Sequence, residues 1–103
     1  MRLLVMFDLP VTSAAERKAA TQFRKFLLND GYYMMQFSVY IRICNGNEVA
    51  HTHLARLQNH IPAAGSVRAI MITEKQYEAM KILCGEKNTD FDKNAAQQMV
   101  LSL

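Results

Sequence analysis

The chain has 103 residues, half of them hydrophobic, and 12 Lys and Arg against 9 Asp and Glu give it a net charge of +3. That length makes one domain, and the apolar content excludes a disordered chain. No stretch reaches the roughly 18 apolar residues of a membrane span, and Cys44 and Cys84, without a Cys-x-x-Cys spacing, read as free thiols of a soluble cytoplasmic protein and not as a staple or a zinc site.

The first element is a strand over Arg2 to Asp8. Leu3 to Phe7 are all apolar, so both faces of the strand ask for cover. Asp8 and Pro10 end the run before a signal peptide could be built. Ser13 with Glu16 three residues on is a capping box, which starts a helix predicted from Ala14 to Asn29. Ala15, Ala19, Ala20, Phe23, Phe26 and Leu27 form its apolar stripe, with Arg17, Lys18, Arg24 and Lys25 on the opposite arc. That arc reads either as a solvated face or as a surface that tracks phosphates. Gly31 is placed as the C-terminal cap.

Tyr32 to Cys44 is rich in strand-forming residues and too long for one ordinary strand, so it splits near Gln36-Phe37-Ser38 into a tight hairpin. No Asn-Gly or Gly-x pair marks the turn. Asn45 with Glu48 reads as a second capping box, starting a helix whose buried stripe is Val49, Ala50, Leu54, Leu57 and Ile61, ended by Pro62. A fourth strand follows over Val67 to Thr73. Thr73 with Gln76 caps a short helix from about Glu74 to Cys84, closed by Gly85. Residues 86–94 read as a polar connector, and Met99-Val100-Leu101 as an additional C-terminal strand pairing with a sheet edge of its own chain or of a partner.

The order strand, helix, strand, strand, helix, strand predicts an α+β, ferredoxin-like βαββαβ domain over residues 1–85, with 86–103 as linker and C-terminal strand. Both helices of that fold lie on one sheet face. With no further helix to cover the other, a second copy of the sheet is expected there, in a symmetric homodimer with sheets facing each other.

Asp8 is the leading candidate for chemistry. One carboxylate is a poor magnesium site, since the ion keeps several waters and takes further anionic ligands. A two-fold axis near the first strand would join two copies of Asp8, and two carboxylates with a phosphate make a credible divalent site for cleaving a nucleic-acid linkage. The bland alternative stands beside it: Asp8 caps the loop into the first helix or pairs with an arginine. Other motifs carry less. His51 and His53, two apart on a helix, point about 200° apart and read as edge and surface histidines. Asp90 to Asn94 imitates a calcium loop but has Ala95 and Leu101 where glycine and glutamate are required. Cys44 has no evident base. Met34, Met35, Met71 and Met80 read as core filler. There is no glycine-rich phosphate loop, and Ser38 to Ile43 lacks the aromatic signature of an RNA-recognition strand.

Three stretches match a known family. Leu3-Leu4-Val5-Met6-Phe7-Asp8-Leu9-Pro10, the helix end Phe23-Arg24-Lys25-Phe26-Leu27, and Gly31-Tyr32 through Gln36-Phe37-Ser38-Val39-Tyr40-Ile41-Arg42 together resemble the small Cas "two" protein of the CRISPR adaptation machinery, in the flavour found beside type II systems. The resemblance covers most of the chain through the fourth strand. It implies a ferredoxin-like homodimer with Asp8 as metal ligand and catalytic residue, the ion being Mg2+ or alternatively Mn2+. It also implies a role in spacer acquisition, the dimer bridging two dimers of an integrase subunit and holding double-stranded DNA across them. The family is further described as metal-dependent endonucleases acting on RNA or double-stranded DNA, so a primary endoribonuclease or DNA nuclease is the alternative function. A metabolite-binding ferredoxin-like regulator is a third. The nucleic-acid-binding candidates, taken from the helical wheel and strand edges, are Arg17, Lys18, Arg24, Lys25, Arg42 and Arg68.

Overall fold

The computed structural model describes residues 1–85. The elements in order are β1 (Arg2–Asp8), α1 (Ala14–Asn29), β2 (Tyr33–Gln36), β3 (Val39–Ile43), α2 (Asn47–Gln58), β4 (Ser66–Ile72) and α3 (Glu74–Glu78). The four strands form one antiparallel sheet in the order β2-β3-β1-β4. That is the ferredoxin-like arrangement: α1 carries the chain from β1 past the position β3 later fills, and α2 carries it from β3 to the far side of β1. The expected linker and strand over 86–103 lie outside the described residues.

Alternation along β1 sorts the two faces. Leu3, Val5 and Phe7 point to the helices and join Phe23 and Leu27 of α1, Ala50 and Leu57 of α2, and Tyr32, Tyr40 and Cys44 in the main core. Each large side chain buried there stabilises the fold by roughly 1.5–3 kcal/mol. Phe7 is the hub of its end, meeting Phe23 edge-on at 5.1 Å and Tyr40 at 5.6 Å. The α1 capping box forms as the sequence predicts. The Glu16 amide donates to Ser13 Oγ at 3.1 Å, and the Ser13 amide to Glu16 Oε1 at 2.9 Å. Gly31 follows the Asp30 cap at φ +94.

The opposite face holds a smaller cluster of Leu4, Tyr33 and Ile41, against which Met35, Val39, Ile72 and Tyr77 pack. The expectation that no helix covers this face needs correction at one end. The Arg2 guanidinium, buried against the sheet, donates from Nε and Nη2 to the Glu74 carboxylate at 3.0 and 3.1 Å, and from Nη1 to Tyr33 Oη at 2.7 Å. It also lies 3.7 Å from the Tyr77 ring centroid. α3 is thereby pinned over the Arg2 end of β1. The other end stays open, with Met6 43% and Ile70 54% exposed.

Other differences have local causes. α2 is capped by Gly46, not Asn45, and no side chain caps it: Gly46 takes φ +94, and its carbonyl accepts the Ala50 amide that closes the first turn. α2 ends at Gln58, ahead of Pro62, because His60 folds back, its Nδ1 donating to the Arg56 carbonyl at 2.8 Å and its ring stacking on Phe26 at 4.0 Å. Ile61 therefore leaves the predicted stripe and is exposed. Ala15 also falls outside the buried stripe of α1. The capping box of Thr73 and Gln76 forms, but α3 ends at Glu78, short of Cys84. Beyond it Met80, Ile82 and Leu83 are exposed and supply no packing to extend the helix. Met34 and Met80 are exposed, not core filler, while Met35 and Met71 are partly buried.

Candidate functional site

Asp8 is the last residue of β1, between the partners that hold the strand's end. On one side it stands opposite Ser66 in the β1–β4 ladder. On the other, the Phe7 amide donates to the Ser38 carbonyl at 3.1 Å, which ties in the turn between β2 and β3. By strand parity Asp8 shares the open face with Leu4 and Met6, whose neighbours across β4 are Ile70 and Arg68. Gly65 sets the approach from β4. It has φ +99, and a Cβ there would sit 2.6 Å from the Asp8 carbonyl oxygen and 2.9 Å from Leu9 Cδ2. Only a residue without a side chain lets the chain enter β4 so close to Asp8.

The Asp8 carboxylate is exposed and has no hydrogen-bond or ion-pair partner among the described residues. Both bland alternatives therefore fail: Ser13 caps α1, and no arginine reaches Asp8. Among the described residues, no group of three or more His, Cys, Asp or Glu could hold a metal ion. The donor chemistry fits an ion that keeps waters and completes its shell with phosphate oxygens or a second carboxylate, and does not fit an all-protein cage.

The basic candidates divide by what they already do. Arg17 Nη1 donates to the carbonyls of Val11 and Thr12 at 3.3 and 3.1 Å, bracing the loop before α1. Arg42 Nε donates to the Asp30 carbonyl at 2.6 Å, and Nη1 to that of Ile43 at 2.9 Å, closing the C-terminal end of α1. Arg24 is half-buried, its guanidinium carbon 5.8 Å from the ring centroids of both Phe7 and Phe37. Lys18, Lys25 and Arg68 are exposed, without hydrogen-bond or ion-pair partners among the described residues. Lys18 and Lys25 share a face of α1, seven residues apart. Arg68 lies on the open sheet face across from Met6. The six do not converge on Asp8.

A second polar group lies beneath the helices. His53 is buried, which corrects its reading as an edge or surface histidine. Its Nδ1–H donates to Asp30 Oδ2 at 2.7 Å, while Arg56 Nη1 donates to Oδ1 at 2.9 Å. The signal that could have found this link is Asp30 beside the C-cap glycine of α1, facing the His53-x-x-Arg56 side of α2. The network joins the ends of two helices and is structural in character. Close by, burial pushes the Cys44 thiol up, against the pull of Arg42.

The sequence model of CRISPR associated protein Cas2 matches residues 1–80. The chain belongs to the Cas2 family. A relative from Acidovorax ebreus, named CRISPR-associated endoribonuclease Cas2, is 59% identical over 85 residues, covering 82% of this chain and 83% of the relative. One of the same name from Flavobacterium psychrophilum is 44% identical over 95 residues, covering 92% and 83%. The crystal structure of Streptococcus pyogenes Cas2 at pH 6.5 aligns with a TM-score of 0.59 at 22% identity, covering 82% of this chain and all of that one, a likeness of fold. Within the Cas2 fold, Asp8 is the end of the central strand. No helix among the described residues is long and apolar enough to cross a membrane.

Proposed function

We propose that this Cas2-family chain works in CRISPR adaptation as a homodimer that joins integrase subunits and binds double-stranded spacer-precursor DNA, with a metal-dependent endonuclease centre at Asp8. The observation that carries the reading is the unpartnered Asp8 carboxylate on an apolar sheet face that α3 covers at only one end. A second copy laid on the open end would cover Met6 and Ile70 and bring the two Asp8 carboxylates near one axis. That pair would hold a Mg2+ or Mn2+ ion, which when bound supplies charge neutralisation at a phosphodiester and a more acidic water. The chain's own part is to fix both carboxylates: the ladder to β4, the Phe7–Ser38 bond and the close approach of Gly65 hold the strand end, and the apolar rows behind it exclude water. For the duplex, Lys18 and Lys25 on α1 and Arg68 on the sheet are the cations best placed to meet backbone phosphates. Such binding is indifferent to sequence and weakens steeply with salt.

The relatives' name, CRISPR-associated endoribonuclease, favours a second reading, in which endoribonuclease activity is primary. One comparison separates the two. Asp8→Asn is assayed for magnesium-dependent RNA and DNA cleavage, and in parallel for spacer integration with the neighbouring integrase. The expected outcome is a loss of cleavage of at least about 100-fold, with duplex binding and integration retained. Integration lost with cleavage in a folded dimer would place the nuclease at the centre of the function. Cleavage undiminished in the variant would remove Asp8 from the chemistry.

A further inference from the structure

The sheet separates the basic candidates by layer. Arg17, Lys18, Arg24 and Lys25 belong to α1, on the helix side, and Arg42 stands opposite Leu3, whose side chain also points to the helices. Arg68 is on the other face. It stands opposite Met6 in the β1–β4 ladder, and Ser66, two residues before it, stands opposite Asp8. Arg68 and Asp8 are therefore diagonal neighbours on one face, about 7–8 Å apart along the backbone, a gap that a long side chain can span. Both are exposed, and neither has a hydrogen-bond or ion-pair partner among the described residues. Two opposite charges this near, and not joined to each other, can take a common ligand.

The surroundings narrow what that ligand is. Along β1 and β4, the charged residues of the open face are Arg2, Asp8 and Arg68. Arg2 is balanced by Glu74. Arg68 instead lies between Met6 across the ladder and Ile70 along its own strand, both exposed apolar side chains. A second copy laid over Met6 and Ile70 would enclose Arg68 with them, and an enclosed cation needs an anion. Asp8 is the carboxylate of that row, one in each chain to match one arginine. A divalent ion held by Asp8 takes up that match and tips the face positive. The ligand that restores the balance is an anion. A phosphate suits both groups, since it ligates such an ion and accepts paired N–H bonds from a guanidinium.

We propose that Arg68 is the phosphate-binding residue of the Asp8 centre: its guanidinium takes oxygens of the nucleic-acid phosphodiester that the ion on Asp8 also meets. This rests on the reading of Asp8 as an ion-holding carboxylate. It moves Arg68 from the general contacts with a duplex backbone, which Lys18 and Lys25 supply from the helix layer, to the one linkage at the centre. The contact reads the phosphate alone and makes no demand on the base. Its apolar neighbours lower the local dielectric, which makes the same contact stronger than on an open surface.

The test measures Mn2+ binding to the full chain through the paramagnetic resonance signal of the free ion, so it does not depend on cleavage. The probes are Mn2+ alone, Mn2+ with dithymidine monophosphate, which carries a single phosphodiester, and Mn2+ with its uncharged methylphosphonate analogue. In the parent the phosphodiester should tighten Mn2+ binding about tenfold, the scale of one charge-assisted contact, and the methylphosphonate should not. Arg68→Gln should bind Mn2+ alone as the parent does and lose the tightening. Arg68→Lys should keep part of it, and Lys18→Gln all of it. Tightening absent in the parent, or undiminished in Arg68→Gln, overturns the assignment. Tighter binding of Mn2+ alone by Arg68→Gln also overturns it, since Arg68 is then a counter-ion that competes for Asp8. Dissociation of the dimer by Arg68→Gln in light scattering does the same, because Arg68 then serves the contact between copies. Asp8→Asn separates the two ideas. If it binds Mn2+ as tightly as the parent, the ion reading of Asp8 fails and the role of Arg68 with it. If it loses Mn2+ while Arg68→Gln keeps the phosphodiester effect, Arg68 alone is misassigned.

Discussion

At the scale of single residues, two positions make the sharpest demands. Gly65 lies against the Asp8 backbone at φ +99, and a methyl group there would meet the Asp8 carbonyl oxygen at 2.6 Å. Gly65→Ala carries both a strained backbone and a steric clash with main chain, so it should cost about 2 kcal/mol or more in denaturant unfolding, and it should lower any Asp8-dependent activity beyond that loss by moving the strand end. Stability unchanged in the variant would mean that the turn has room. Tyr32 makes the opposite case. Its hydroxyl is buried with no hydrogen-bond partner among the described residues, and burial, with the nearby Asp30 carboxylate, pushes its phenol far above the ordinary value. Removing an unsatisfied hydroxyl relieves a desolvation cost, so Tyr32→Phe should be neutral or stabilising by about 1 kcal/mol. A loss of that size would point to a bond the hydroxyl makes. Legibility at this scale followed sequence distance. Asp8 stood out because an apolar run ends on it. Arg2 with Glu74, and Asp30 with His53, did not, because each pair is far apart in sequence and only the sheet and the helix pair bring them together.

At the scale of elements, β1 and α1 were readable to the residue because each carries its own boundary: Asp8 at the end of an apolar run, and the reciprocal bonds of Ser13 and Glu16 at the start of a helix. α2 was less so. Its beginning depends on Gly46 taking a positive φ, and its end on His60 stacking against Phe26, a residue of another helix. The α1 cap has a pH consequence. Glu16 accepts from Thr12 Oγ1 at 2.6 Å and from the Ser13 amide, and the Thr12 bond first, then the Ser13 bond, lowers its pKa below the ordinary 4.5. A carboxylate whose folded pKa is depressed contributes stability above its unfolded pKa and loses it as pH falls through the folded one. The first turn of α1 should therefore open more readily as pH falls from about 5 to 3. After correction for intrinsic rates, hydrogen exchange of amides in that turn should lose protection there, and Glu16→Gln should flatten the dependence while the core amides keep theirs. An unchanged dependence in the variant would assign it to another group.

At the scale of the whole molecule, the question is what covers the sheet. The sequence argues for a second layer because β1 is apolar on both faces, and the fold supplies part of one: α3, held by Arg2 and Glu74, lays Tyr77 over Leu4, Tyr33 and Ile41. Along β1 the cover stops where Met6 and Ile70 begin. A chain that closed its sheet alone would continue past them or replace them with polar residues, as sheets that face water on one side do. Instead the apolar row of β1 runs on through Met6 to Asp8, beside Arg68 and Ser66 of β4, and the carboxylate has no partner among the described residues. Both facts have one explanation if two copies meet on this end, since the contact that covers the apolar rows is also the one that pairs the carboxylates. Ile70→Lys tests it cleanly. At 54% exposure, Ile70 contributes little to the single chain, so lysine there should leave circular dichroism and monomer unfolding nearly unchanged. Across a two-fold axis it would instead place two cations in an apolar interface, a burial that is costly without partners. Light scattering should show the parent as a dimer at micromolar concentration and the variant as a monomer, with dimer affinity lowered at least about tenfold. Magnesium-dependent cleavage should fall with it, although Asp8 itself is untouched. A variant that remains dimeric, with Met6→Lys behaving alike, would put the contact between copies on another surface and leave each Asp8 to act alone.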